Sequence, residues 1–297
     1  MNSTYDPNQG LTWVLLRGLG RDSRHWMTFP QLMGNAFPQS RLVCLDLPGN
    51  GALCNEESPK SIKAAVESYR QQLLDLEIPP PYSLCALSMG GMVALEWLHR
   101  YPDEILHAVV INTSTAFVNP FFKRLRPFAL LRLLRAALAG VRRKEAEVFN
   151  LTTNMLADSA GIVATWQSFA DECPVSTRNL LRQIFAAARY SLRDIDYPER
   201  VMVVNSARDE LVHPRCGRDI ARKWELPHYV HPEAGHDLPL DDPSWLIFQI
   251  KEWLDVYANK ESWLTASDEL HNDVVPRLFA SFKQEVADSL PGEPRLF

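Results

Sequence analysis

Six short apolar runs divide the chain: residues 11–16 (LTWVLL), 41–45 (RLVCL), 82–87 (YSLCAL), 106–111 (LHAVVI), 201–204 (VMVV) and 228–231 (HYVH). Most are apolar at nearly every position rather than at alternate ones. Uninterrupted runs of this length suit strands covered on both faces, as in a parallel sheet. A different period fills the gaps. Residues 61–76 set Ile62, Ala65, Val66, Tyr69, Leu73 and Leu74 at i, i+3, i+4 intervals, the stripe of an amphipathic helix. Residues 90–100 (GGMVALEWLHR) and 245–257 (WLIFQIKEWLDVY) behave the same way. Strands alternating with helices predict an α/β protein with a doubly wound, mostly parallel sheet.

The alternation fails in one place. Residues 115–195 are helical in pattern throughout, which is too long for an ordinary connection between strands. They read as a helical lid inserted between two strands, leaving residues 1–114 and 196–258 as the core. Beyond residue 259 a further stripe runs through Trp263, Leu264, Leu270, Val274, Leu278, Phe279, Phe282 and Val286, interrupted by Pro276. Residues 259–297 are therefore expected to form a helical C-terminal extension.

Composition narrows the class. At 297 residues, 46% hydrophobic and 23% charged, the chain has the make-up of a soluble globular protein with a sizeable core. A net charge of −5 gives no reason to expect nucleic acid or an anionic membrane as partner. No 18-residue uncharged apolar stretch occurs, so no membrane span is predicted. The greasiest segment, residues 117–141, is broken by Lys123, Arg124, Arg126, Arg132 and Arg135. Five scattered cysteines, an odd number, and a start without a basic, then apolar, leader predict a reduced, cytoplasmic protein. Eight histidines include no HExxH and no Cys/His pairs at zinc spacing, so no metal and no cofactor are expected.

The chemistry begins at Ala86-Leu87-Ser88-Met89-Gly90-Gly91, between a predicted strand and a predicted helix. A serine in so tight a turn is presented at the end of the sheet, and small neighbours let the backbones come together. The helix start behind it supplies unpaired N–H groups for a developing oxyanion. Read on its own, the same serine could be a helix N-cap. His236 follows Gly235 in the loop after the last apolar run and is the candidate base. Asp209, just past residues 201–204, is the candidate acid that holds its tautomer, with Glu210 as nearest competitor. Residues 112–114 (Asn-Thr-Ser), the other strand end from which an acid could come, carry no carboxylate.

Together these segments resemble the α/β-hydrolase family, specifically its serine-nucleophile, lid-bearing, small-carboxylesterase-like branch. Ser88, Asp209 and His236 keep the serine–acid–histidine order of that family. Ala86 stands where the first glycine of its G-x-S-x-G elbow is usual. Arg17-Gly18-Leu19-Gly20 resembles the HGxG loop, with Arg17 replacing histidine, and the residues 46–51 (DLPGNG) resemble its DxPGxG turn. The resemblance implies an oxyanion hole made by the backbone N–H groups of Leu19 and Met89. Arg17 either ties down its loop or faces the site and favours an anionic substrate.

Serine at the elbow, rather than aspartate, implies attack on a carbonyl and an acyl-enzyme. The expected substrate is a small-molecule carboxylic ester, thioester or lactone with an apolar acyl group. Within the lid, Phe121 and Phe122 are candidate contacts for that chain and Arg124 for an anionic group. The arginines of the lid suit acyl carrier protein as a partner, and equally a solvated basic helix face or a membrane surface. A lyase or C–C bond hydrolase using the same three residues is the alternative, with a catalytically silent binding protein behind it.

Overall fold

A computed structural model of the protein describes residues 10–137, 140–156 and 159–258; residues 259–297, where the C-terminal extension is expected, lie outside the described residues. Six parallel strands form one sheet: β1 (Thr12–Leu16), β2 (Arg41–Leu45), β3 (Tyr82–Leu87), β4 (Ile105–Ile111), β5 (Val201–Ser206) and β6 (His228–His231). Their order is β2-β1-β3-β4-β5-β6. The predicted runs fall on these strands to within two residues.

Strand geometry sorts the apolar side chains. Alternate residues point to opposite faces, so Val14, Leu16, Leu84, Ala86, Val110 and Val203 face one core. Trp13, Leu15, Cys85, Leu87, Val109 and Val204 face the other. Helices α2 (Ile62–Asp75) and α3 (Met89–Arg100) pack on the first face, and α1 (Phe29–Ala36) packs on the second. Each fully buried Leu or Val there contributes about 1.5–3 kcal/mol. Ser61 caps α2 by accepting the Ala64 N–H at 3.2 Å.

Between β4 and β5 the chain forms α4 (Phe121–Arg124), α5 (Pro127–Ala137), α6 (Val141–Thr152), α7 (Ser159–Glu172) and α8 (Thr177–Arg189). After β5 come α9 (Arg215–Trp224), the short α10 (Leu238–Asp241) and α11 (Pro243–Trp253). α9 joins the first face and α11 the second. The apolar run to residue 257 is thus divided: α11 stops at Trp253 and a wider π turn covers Leu254–Ala258.

The strand order positions a site. The chain steps from β1 to β2 in one direction, then crosses β1 to place β3 on its far side. The loops leaving β1 and β3 therefore diverge, opening a crevice at the strand ends. Among the described residues no helix is long and apolar enough to cross a membrane.

Candidate active site

Ser88 alone makes the turn from β3 to α3, with φ 59° and ψ −115°. A non-glycine residue in that region costs of order 1–3 kcal/mol, so the surroundings must impose it. Its N–H donates to the Ile111 carbonyl at 2.8 Å, and its own carbonyl accepts from Gly91 N–H at 3.0 Å. The Thr113 hydroxyl donates to the same carbonyl at 2.7 Å. Gly90 is needed because a Cβ there would run into the Leu16 carbonyl oxygen. Ala86, in place of the usual elbow glycine, is wholly buried in β3 between Leu16 and Val110 of the neighbouring strands.

His236 Nδ1 lies 2.7 Å from Asp209 Oδ2, and both residues are buried. The other carboxylate oxygen of Asp209 accepts the N–H groups of Leu211 at 2.8 Å and Val212 at 2.9 Å. A carboxylate so held orients the ring and keeps the proton on Nδ1, leaving Nε2 as the acceptor. Glu210 points elsewhere, its side chain half exposed and 3.6 Å from Arg132. Ser88 and His236 line one cavity, and no hydrogen bond joins Ser88 Oγ to the imidazole in this structure. Such contacts commonly tighten only with substrate in place.

Asn112, just past β4, ties these parts together. Its Nδ2 donates to the His236 carbonyl at 2.8 Å and to Ser206 Oγ at 3.0 Å. Its Oδ1 accepts the Ser206 N–H at 2.8 Å. The ends of β4 and β5 and the histidine loop are thereby fastened through one side chain. Asp241 secures the same loop by accepting the Gly235 N–H at 2.7 Å. Burial pushes the Asp241 carboxyl pKa up, against the backbone donors that lower it.

On the β1 side, Gly18 passes so close to Ser88 that a Cβ would stand 3.0 Å from the serine Cβ. Leu19 and Met89 both line the cavity. Met89 is the first residue of α3, so the helix leaves its N–H unpaired. Gln183 of α8 holds this loop by accepting the Gly20 N–H at 2.8 Å, while its amide donates to Asn50 and Ser58. Arg17 forms a two-pronged ion pair with Asp237, at 3.0 and 2.6 Å, and lies over the Trp26 ring. Arg17 thus both ties its loop to the histidine loop and lines the cavity, with its charge met by Asp237.

The cavity has a volume of about 310 Å³. α3, α5, α6 and α8 give it an apolar wall that includes Met92, Leu133, Val148, Leu151, Leu180 and Ile184. Arg124 reaches it and is buried. Phe122 does not: it is 71% exposed, on the outer side of α4. The Phe121 side chain lies outside the described residues. Nothing in the sequence marks the roles of Asn112, Thr113 and Gln183, because a lone amide or hydroxyl carries no spacing signal. Among the described residues no three His, Cys, Asp or Glu side chains gather as a metal site would require.

The alpha/beta hydrolase family model matches residues 13–247. A pimeloyl-[acyl-carrier protein] methyl ester esterase of Hamiltonella defensa is 32% identical over 109 residues, 37% of this chain and 39% of its own length. The chain thus spans well under half the length of that relative. An esterase of the same name from Neisseria meningitidis is 25% identical over 233 residues, covering 76% of this chain and 70% of its own. The enol-lactonase from Burkholderia xenovorans LB400 shares the fold, with a TM-score of 0.64 and 19% identity, over 84% of this chain and 94% of that one.

Proposed function

The chain belongs to the alpha/beta hydrolase family, and on that premise we propose that it is a serine hydrolase acting on a carboxylic ester, thioester or lactone with an apolar acyl group. Ser88 Oγ attacks the carbonyl carbon as His236 Nε2 takes its proton. Asp209, 2.7 Å from Nδ1, stabilises the imidazolium that forms. The N–H groups of Leu19 and Met89 receive the negative charge that develops on the carbonyl oxygen. The imidazolium then protonates the leaving alcohol, and water clears the acyl-enzyme by the same route in reverse.

The observation that carries this reading is the buried His236–Asp209 pair opening onto the same cavity as a serine held in a positive-φ turn. In it, residues 115–195 act as a lid over residues 1–114 and 196–258, and their apolar wall takes the acyl chain. The relatives' names point to an ester carried on an acyl carrier protein. Arg135, Arg142 and Arg143 are exposed on α5 and α6, where an acidic carrier would meet them. A titration with acyl carrier protein showing no interaction would remove that finer version.

The test of the reaction is turnover of p-nitrophenyl esters across a range of acyl lengths. Ser88→Ala is expected to lose at least about a thousandfold in kcat. Equal turnover by both proteins would end the proposal. The chain-length optimum of the wild type then measures the depth of the cavity.

A further inference from the structure

Four cationic side chains line the cavity: Arg17, Arg21, Arg124 and Lys144. Three have carboxylate partners. Arg17 is paired with Asp237 at 2.6 Å, Arg21 with Glu145 at 2.5 Å, and Lys144 with the other oxygen of Glu145 at 3.6 Å. Arg124 has none among the described residues, although it is only 4% exposed. Its Nε donates to Ser114 Oγ at 2.9 Å, Nη1 to the Ala188 carbonyl at 3.2 Å, and Nη2 to the Ala187 carbonyl at 3.0 Å and to Met92 Sδ at 3.7 Å.

Those carbonyls sit at the C-terminal end of α8, whose dipole offers about half an elementary negative charge. That offsets a guanidinium in part and leaves a buried cation without a counter-ion, an arrangement that is costly unless an anion completes it. Cys216, whose charge would bear on Arg124, does not supply one. Burial pushes its thiol pKa up to about 12, so it is neutral.

We propose that Arg124 is the anion-binding end of the cavity, and that the substrate is an ester bearing a carboxylate a short distance from the scissile carbonyl. This rests on the hydrolase reading and names its substrate class. The spacing follows from two routes. Met92, which touches Arg124, is the fourth residue of α3, so the arginine meets the cavity about one helical pitch, roughly 5 Å, from the turn that carries Ser88. By the second route, Thr113 holds the Ser88 carbonyl while the adjacent Ser114 holds Arg124. A chain of about four or five bonds covers that distance, as in the monoester of a short dicarboxylic acid. Three of the five guanidinium N–H groups donate to oxygens, which leaves one on Nη1 and the one on Nη2 that meets only Met92 Sδ to receive its carboxylate.

The bland reading makes Arg124 a strut between α4 and α8. Monomethyl glutarate and the neutral methyl pentanoate, of matched length, separate the two. Wild type is expected to favour the anionic ester at least about tenfold in kcat/KM. R124Q should lower turnover of the anionic ester by about fiftyfold or more and change the neutral one by less than about threefold, and R124K should recover part of the loss. Equal losses on both esters, or a wild type that favours the neutral one, would overturn the proposal. Calorimetric titration of monomethyl glutarate into the Ser88→Ala protein supplies an arm that needs no turnover. Binding there that disappears in the Ser88→Ala/Arg124→Gln protein supports the arginine site even if no ester is cleaved. Absence of binding to Ser88→Ala contradicts it, and absence of wild-type turnover on both esters counts against the hydrolase reading instead. If R124Q does not fold, the wild-type ester preference and the R124K values still decide.

Discussion

The strand ends and the inserted helices enclose the same cavity, yet they are held by different physics. On the strand side nearly every polar group is buried and spoken for. The backbone of Ser88 and the side chains of Asn112, Asp209 and His236 are tied to β4, β5 and the loops after β4, β5 and β6 by hydrogen bonds of 2.7–3.0 Å. On the other side α5 leaves Phe128 70% and Leu131 52% exposed. Its Arg132 pairs with Glu147 and Glu210 while more than a quarter exposed, and ion pairs of that kind contribute about 0–1 kcal/mol each. α8 belongs with the strand side, because buried Asn179 and Gln183 bond to the loop after β2 and Gln183 also to the loop after β1. The difference teaches where geometry is imposed. Groups assigned to bond-making sit where many contacts agree, and the substrate wall is built from elements that fewer contacts restrain.

The largest effect should come from the most over-determined point. Asp209→Asn keeps an oxygen for the Leu211 and Val212 N–H groups but no longer holds the imidazole tautomer, so kcat on an activated ester should fall by about 10⁴. A loss under tenfold, read by stopped-flow turnover, would mean the strand-end network is not catalytic.

The next effect concerns acid. Burial is the main cause pushing the His107 pKa in β4 down to about 3, and it pushes His25 down to about 4. Both stay neutral in the fold where the unfolded chain would take up a proton. Stability is then fully present above about pH 6.5 and falls as pH drops toward the folded values. His107 alone should cost roughly 2 kcal/mol between pH 7 and pH 5, and His107→Asn should flatten that slope in urea melts. Residues 115–195 contain no histidine, so an acid loss confined to the inserted helices would break the comparison.

The smallest effect is expected on α5. Phe128→Ser should shift stability by no more than about 0.5 kcal/mol and leave ester turnover as it was. A drop as large as that of a buried residue would place α5 with the strand side after all.

Much of the strand side could be read in the chain itself. Runs buried on both faces announce the strands, and the strand-end loops bring Ser88, Asp209 and His236 to one edge of the sheet. Asn112 and Gln183 were not legible, since what matters in them is a partner 94 residues away for Asn112, Ser206, and 163 for Gln183, Gly20. The sequence does not choose between the two roles of Arg17 for the same reason, since its partner Asp237 lies 220 residues on. The inserted helices were legible as helices and not as faces. Phe122 and Arg124 are two residues apart in an apolar, basic stretch, and nothing in its pattern says that one points out and the other in.

The central claim is that Ser88 is the nucleophile activated by His236. Its most direct test is fluorophosphonate labelling of the intact protein, with the modified residue located by peptide mass mapping. The account predicts one adduct per chain, on Ser88, that is absent in Ser88→Ala and forms far more slowly in His236→Ala. No adduct, an adduct on another residue, or labelling of His236→Ala at the wild-type rate would contradict it.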